Sequence, residues 1–295
     1  MTYSRGECHG WKQTPDGKKV HLYPPPPKDF DPFAATEKDL MRHGLPLRPD
    51  PQTQPGMAAL WERRAARYRT FDHLEPRPDT TTAAKKAVTP ALGPDPSDSC
   101  GYQFLSNTSA PFTVLAVTWT VPDLHYTASP VGIDYFHTFV GLGFLDLHVE
   151  MTVDPAQNVT CQVWAQSIGD INLPVRPGDV ISATLCLQTN QLGTASYFLA
   201  NETTSQTISF TVNTGFPPAV TINAGVTRSW PTNEPFPPLA SFGIVYFDDI
   251  EAYTTSGNWP LTSGEALTMV DQNGNTLATP VMLTNSAFKT VCGAA

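Results

Sequence analysis

Beyond residue 95 this sequence has almost no positive charge. Arg176, Arg228 and Lys289 are the only Lys or Arg residues there, set against 15 Asp and Glu, a net of −12. A surface so poor in cations repels polyanions, so nucleic acid and anionic membranes are not expected as partners. No run of eighteen apolar residues occurs, which excludes an obvious membrane-spanning helix. The opening stretch "MTYSRGECHGWKQTPDGKKVHLYPPPP" has no apolar segment behind its basic residues, so a cytoplasmic location is expected. The five cysteines (Cys8, Cys100, Cys161, Cys186, Cys292) include no C-x-x-C pair, which points to free thiols rather than a disulfide framework or a zinc site. Cys161 and Cys186 both fall in strand-like runs, and whether they face each other is left open. H-E-x-x-H, P-loop and G-x-G-x-x-G patterns are absent, and no metal or cofactor is expected.

What is present divides the chain in two. Residues 1–95 carry 15 Lys and Arg against 12 Asp and Glu, and are rich in proline. "YPPPPKDFDP" and "LRPDPQTQPG" must be extended or turn-like, because proline fixes φ and biases its predecessor away from helix. "TEKDLMRHG" predicts a short helix capped by Thr36 and stopped by Gly44. "PGMAALWERRAARYRTF" predicts a second helix, with Met57, Leu60, Trp61, Ala65 and Tyr68 on one stripe and the arginines opposite. That stripe requires a docking surface, on this chain's own sandwich or a partner's, and opposite charge suits the basic segment to the acidic one. "PRPDTTTAAKKAVTPALGPDPSDS" reads as a linker.

Residues 96–295 read as many short strands punctuated by Gly-Asp, Asn-Gly and Pro-Gly, with no helical period. "DQNGNTLA" predicts a hairpin with Asn273-Gly274 in a type I′ turn. The pattern predicts an all-β fold, an antiparallel two-sheet sandwich, carrying a partly helical N-terminal extension. Trp119 and Trp164 are expected in its core. Within it, "LDLHVEMTVDP" (145–155) alternates Leu147, Val149 and Met151 with His148, Glu150 and Thr152. That second face is either solvated or chemically employed.

Five segments bear on which. "VTWTVPDL" (117–124), "HTFVGLG" (137–143), "VRPGDVISATL" (175–185), "ANETTSQTISF" (200–210) and "LASFGIVYFDD" (239–249) follow one another in the order and spacing of the glutamic peptidases, the eqolisin family. Over residues 100–255 the chain resembles that family. The resemblance implies a concanavalin A-like (lectin-like jelly-roll) sandwich of two bent sheets and an acid endopeptidase ancestry. In the family a glutamine and a glutamate project from the concave sheet and activate a water. Family precursors also carry a basic propeptide over an acidic domain, similar to the charge division here.

The resemblance places Glu150 at the family's glutamine position and Ser229, beside Trp230, at its glutamate position. Phe139 replaces a family tryptophan and Gly143 an aspartate. The scaffold is thus similar and both catalytic positions differ. Glu150 is the expected general acid or base, with His148 on the same strand face beside it as a catalytic partner. His137, Phe139, Arg228, Ser229 and Trp230 are expected to line the groove and hold a small-molecule or peptide ligand, Arg228 by pairing with a carboxylate. Three functions follow. The first is a non-peptidase enzyme using Glu150 on a small molecule. The second is a non-catalytic, lectin-like binding module. The third is an acid endopeptidase pairing Glu150 with Glu234.

Overall fold

The structure of the protein is a computed structural model, and it describes residues 11–13, 19–76, 98–127, 132–165, 168–187, 194–213, 215, 217–228, 239–271 and 273–293. The N-terminal part contributes strands β1 (Trp11–Gln13), β2 (Lys19–Leu22) and β3 (Asp72–His73), with helices α1 (Glu37–Arg42) and α2 (Pro55–Tyr68) between β2 and β3. The strands that follow are β4 (Ser99–Leu105), β5 (Phe112–Thr120), β6 (Asp134–Leu142), β7 (Leu145–Val153), β8 (Val159–Ala165), β9 (Gly169–Ile171) and β10 (Val180–Leu187). Next come β11 (Thr194–Asn201), β12 (Gln206–Asn213), β13 (Thr221–Thr227), β14 (Ile244–Thr254) and β15 (Gly257–Trp259). The chain closes with β16 (Glu265–Leu267), β17 (Met269–Val270), β18 (Thr276–Thr284) and β19 (Ala287–Cys292).

These strands form two sheets. The larger runs β1-β2-β12-β11-β10-β5-β14-β19-β18-β17, with β15 on β14 and β3 on β12; the smaller runs β16-β4-β13-β6-β7-β8-β9. Every pairing is antiparallel except β3 with β12. The sheets enclose one core, to which strands such as β7 contribute every second residue, while β12 and β13 are buried along almost their whole length. Trp119 of the larger sheet donates its indole N–H to Thr138 Oγ1 of the smaller at 2.9 Å, as a buried indole must find an acceptor. Tyr102 and Phe288 meet across the same gap, ring centroids 4.9 Å apart.

Thr36 caps α1: its hydroxyl accepts from Asp39 N, and the Asp39 carboxylate accepts from Thr36 N. Gly44, at φ +64°, ends the turn after α1. α2 packs on the outer face of the larger sheet. Leu60, Trp61, Ala65 and Tyr68 are buried, Met57 is half-buried, and Phe198 of β11 meets the Tyr68 ring at 4.6 Å. Arg64 does not join the solvent face with the other arginines; it is 5% exposed against the sheet.

The hairpin around residue 274 exists, but not as a type I′ turn. Of Asn273 and Gly274, only Gly274 has positive φ; the Asp271 carboxylate accepts from Asn273 N and Asn275 N, and Asp271 N donates to Asn275 O. The turn is therefore closed by a left-handed glycine and shaped by Asp271 rather than by Asn273. Cys161 and Cys186 do not face each other. They lie on different sheets, β8 and β10, as free thiols whose pKa burial pushes up to about 12.

A facing pair of glycines, Gly101 and Gly225, sets how β4 and β13 approach. A Cβ on Gly225 would sit 2.2 Å from the Cys100 carbonyl oxygen, which is backbone and cannot swing aside. Gly225→Ala is expected to cost about 3 kcal/mol, the upper range for overpacking a rigid site, measured by denaturant unfolding. A cost within about 0.5 kcal/mol, the scale of a neutral surface change, would show that the two strands have room to part.

Candidate functional site

β7 lies inside the smaller sheet, hydrogen-bonded to β6 on one side and β8 on the other. Leu145, Leu147, Val149, Met151 and Val153 are all 0% exposed and face the core. Asp146, His148, Glu150 and Thr152 point to the outer face, where they are half-buried. The face is therefore neither an open edge nor fully wet.

Register builds the site row by row, since residues directly opposite in an antiparallel pair share a face. Glu150 stands between His137 of β6 and Gln162 of β8. His148 stands between Phe139 and Trp164, and Asp146 faces Gly141. Thr152 and Thr160, hydrogen-bonded at 2.6 Å, close the next row. His148 is the hub. Its ring meets His137 edge-on at 5.7 Å, Phe139 in a stacked arrangement at 6.1 Å and Trp164 edge-on at 5.5 Å. Its Nδ1 is buried and has no hydrogen-bond partner among the described residues. Trp164 thus belongs to this face and not to the core, because its register partner is His148.

Burial disfavours the charged forms of His148, His137 and Asp146. Desolvation pushes the His148 pKa down to about 4. Desolvation, and secondarily the neighbouring His148, push His137 down to about 3. Desolvation pushes Asp146 up to about 7. Neutral imidazoles accept and donate single hydrogen bonds, so at neutral pH neither histidine is a proton donor of the imidazolium kind. Asp146 was not foreseen, although it shares the two-residue period of His148 and Glu150. Gly141 makes room for it: the Asp146 Oδ1 lies 2.7 Å from where a Cβ on Gly141 would be.

These shifts fix opposed pH effects. The histidines bind protons in the unfolded chain but not in the native one between pH 6.5 and about 4, so their contribution to stability is lost as pH falls through that window. Asp146 holds a proton in the native state that the unfolded chain releases between 3.8 and about 7, so its contribution is lost as pH rises. His148→Phe is expected to remove on the order of 3 kcal/mol of acid sensitivity, and Asp146→Asn a similar loss of stability as pH rises towards 7. Unfolding free energies measured from pH 4 to 8 check this; unchanged slopes in both variants would show the groups to be solvated.

Arg228 is not available to pair across this face. It is 8% exposed, and its Nη2 donates to Asp98 Oδ1 at 2.8 Å and to the Val270 carbonyl at 3.1 Å. Phe139 sits on the face but is only 3% exposed, so it walls His148 more than it offers a surface. Ser229, Trp230 and Glu234 lie outside the described residues. Among the described residues no three His, Cys, Asp or Glu side chains group closely enough to hold a metal ion.

A family model described as the peptidase A4 family matches residues 97–292. This chain belongs to the peptidase A4 family. Its match spans every strand from β4 to β19 and none of the N-terminal elements. Solved structures of the A4 family's glutamic peptidases share the fold. Scytalido-glutamic peptidase bound to a peptide-based transition-state analog is similar with a TM-score of 0.55 and 15% identity, over 67% of this chain and 98% of that one. SCP-B, an eqolisin in complex with the tripeptide Ala-Ile-His, gives 0.52 and 14%, over 67% and 98%. No curated protein matches the sequence. At such identity the structures fix the A4 sandwich and leave the chemistry to the side chains present.

Proposed function

We propose that this A4 family member is a hydrolytic enzyme in which Glu150 moves the proton on the outer face of the smaller sheet. One observation carries the reading: Glu150 stands mid-sheet and half-buried, flanked in register by His137 and Gln162. As a carboxylate it takes a proton from a water whose oxygen attacks the substrate's electrophilic carbon, and it returns that proton to the leaving group. Gln162 is exposed beside it and has an amide N–H to offer the developing oxyanion. His137 and His148, held neutral, orient polar groups without charging the site. The substrate on this reading is a small uncharged molecule, in keeping with a floor of neutral imidazole, aromatic and carboxylic groups.

A second reading, hydrolysis of a peptide bond, is favoured by Gln162. A glutamate and a glutamine stand directly opposite on neighbouring strands, so the two residue types of the family's catalytic pair occur together again on different positions. The relatives crystallised with a peptide-based analog and with a tripeptide support a peptide ligand.

The test is a hydrolysis panel, casein and a set of small neutral esters, amides and glycosides, assayed from pH 3 to 7 with the wild-type chain and Glu150→Gln. Turnover that needs Glu150 supports the proposal, and its substrate decides between the readings. No turnover on any member, with a folded protein that binds a panel compound, makes the face a binding module instead.

A further inference from the structure

On the outer face of the larger sheet, three arginines of α2 meet acceptors of the strands or the turn after β11. Where β5 and β10 run side by side, the carbonyl oxygens of Val117 and Ala183 and the Thr184 hydroxyl converge on one guanidinium. Arg64 Nη1 donates to Ala183 O at 3.0 Å and to Thr184 Oγ1, and Nη2 donates to Val117 O at 3.4 Å. A buried guanidinium without such acceptors would be strongly unfavourable, so this slot selects a cation by geometry. Around it the contact is graded. Arg67 pairs with Glu202 at 3.2 Å and Arg63 with Asp249 at 3.3 Å, one arginine on each flank. Leu40, Leu45, Trp61, Ala65 and Tyr68 form a small apolar cluster that closes on Phe198 of the sheet.

The same stretch of chain also completes the sheet's edge. β2 pairs antiparallel with Phe210–Asn213 of β12, and β3 pairs parallel with Gln206 and Thr207 at its other end. Asn172 holds the strand end after β3 by donating to Glu75 O at 3.1 Å. Apart from Asn172, which follows β9 at the edge of the smaller sheet, these contacts lie on the larger sheet, whereas Glu150 faces outward from β7 inside the smaller one.

We propose that residues 19–76 are a permanently docked piece of this protein, recognised by the guanidinium slot and held independently of the covalent link through residues 77–97. The occupant is this chain's own α2. Its basic charge answers the net −12 of residues 96–295, and its docking leaves the Glu150 face untouched. The segment acts as a second, non-covalent component of the sandwich and not as a removable cover for the site.

The experiment inserts a site-specific protease sequence within residues 77–97 of the full chain, cuts it, and follows the two pieces by native size-exclusion chromatography. The cut protein is expected to elute as one species of full mass and to release the smaller piece only on unfolding. In the cut Arg64→Met protein, which keeps side-chain bulk but loses the guanidinium, the piece is expected to separate under native conditions. If Arg64→Met fails to fold, cut Arg63→Ala/Arg67→Ala protein is expected to release the piece as salt is raised, at a concentration that wild type withstands. Release from cut wild type in native buffer would overturn permanent docking, and retention in cut Arg64→Met would overturn the slot as its basis. Any Glu150-dependent hydrolysis should be the same before and after cutting; activity that emerges only when the piece leaves would make the segment an inhibitor and overturn the inference. That outcome would leave the role of Glu150 intact.

Discussion

Glu150→Gln is expected to lower turnover by about 10²–10⁴-fold, the range general acid–base catalysis supplies, with the fold intact. The substitution keeps side-chain shape and removes the proton acceptor. Because Glu150 is half-buried beside His137, a neutral amide there has less desolvation to overcome than a carboxylate, so stability should change by no more than about 1 kcal/mol. Gln162→Ala is expected to lose about 10²–10³-fold, the scale of one oxyanion donor, through kcat more than KM. Steady-state kinetics on the panel substrate, with thermal melts alongside, separates the two roles. If Glu150→Gln retains wild-type kcat, the proton is moved elsewhere, and Asp146, held protonated up to about pH 7, becomes the group to test.

Arg228→Ala is expected to destabilise the protein by about 3–5 kcal/mol, because it leaves a buried carboxylate without its counter-charge. Asp98 is 1% exposed and Arg228 8%, and their contact is 2.8 Å. Asp98 immediately precedes β4 and Arg228 immediately follows β13, so the pair fastens the ends of two adjacent strands, and the bond to Val270 adds β17. Replacing both partners by apolar residues, Arg228→Met with Asp98→Leu, is expected to recover most of the loss, since the desolvation cost of both charges disappears together. Equilibrium unfolding of the three variants measures this cycle. A ligand-pairing arginine would behave in the opposite way, with KM raised and unfolding unchanged.

The strands were legible because their signal is local. In "LDLHVEMTVDP" the two-residue period separates core from outer face without any knowledge of the neighbours, and the structure follows it residue by residue. Thr36 and Gly44 mark the limits of α1 for the same reason, each satisfying backbone groups within one turn. The five ordered segments were enough for the family and the sandwich. Which residues of different strands meet was not legible, because register depends on partners far away in sequence. Trp164 has the same alternating surroundings as a core aromatic, and only its pairing with His148 places it beside an imidazole. Gln162 became a neighbour of Glu150 through that register alone.

Arg64 and Arg228 show the limit from the side of charge. In sequence, one belongs to a cluster of exposed arginines and the other is a rare cation near a presumed cleft. Burial with satisfied hydrogen bonds depends on carbonyls and carboxylates supplied by other elements, Val117 and Ala183 for the first and Asp98 and Val270 for the second. The sequence by itself therefore determined the fold class, the strand faces and the presence of a carboxylate on the outer face of β7. Tertiary structure decided what surrounds that carboxylate, which arginines are structural and where the N-terminal segment lies, because contacts between distant strands, and the water they exclude, exist only once the sheets have closed on each other.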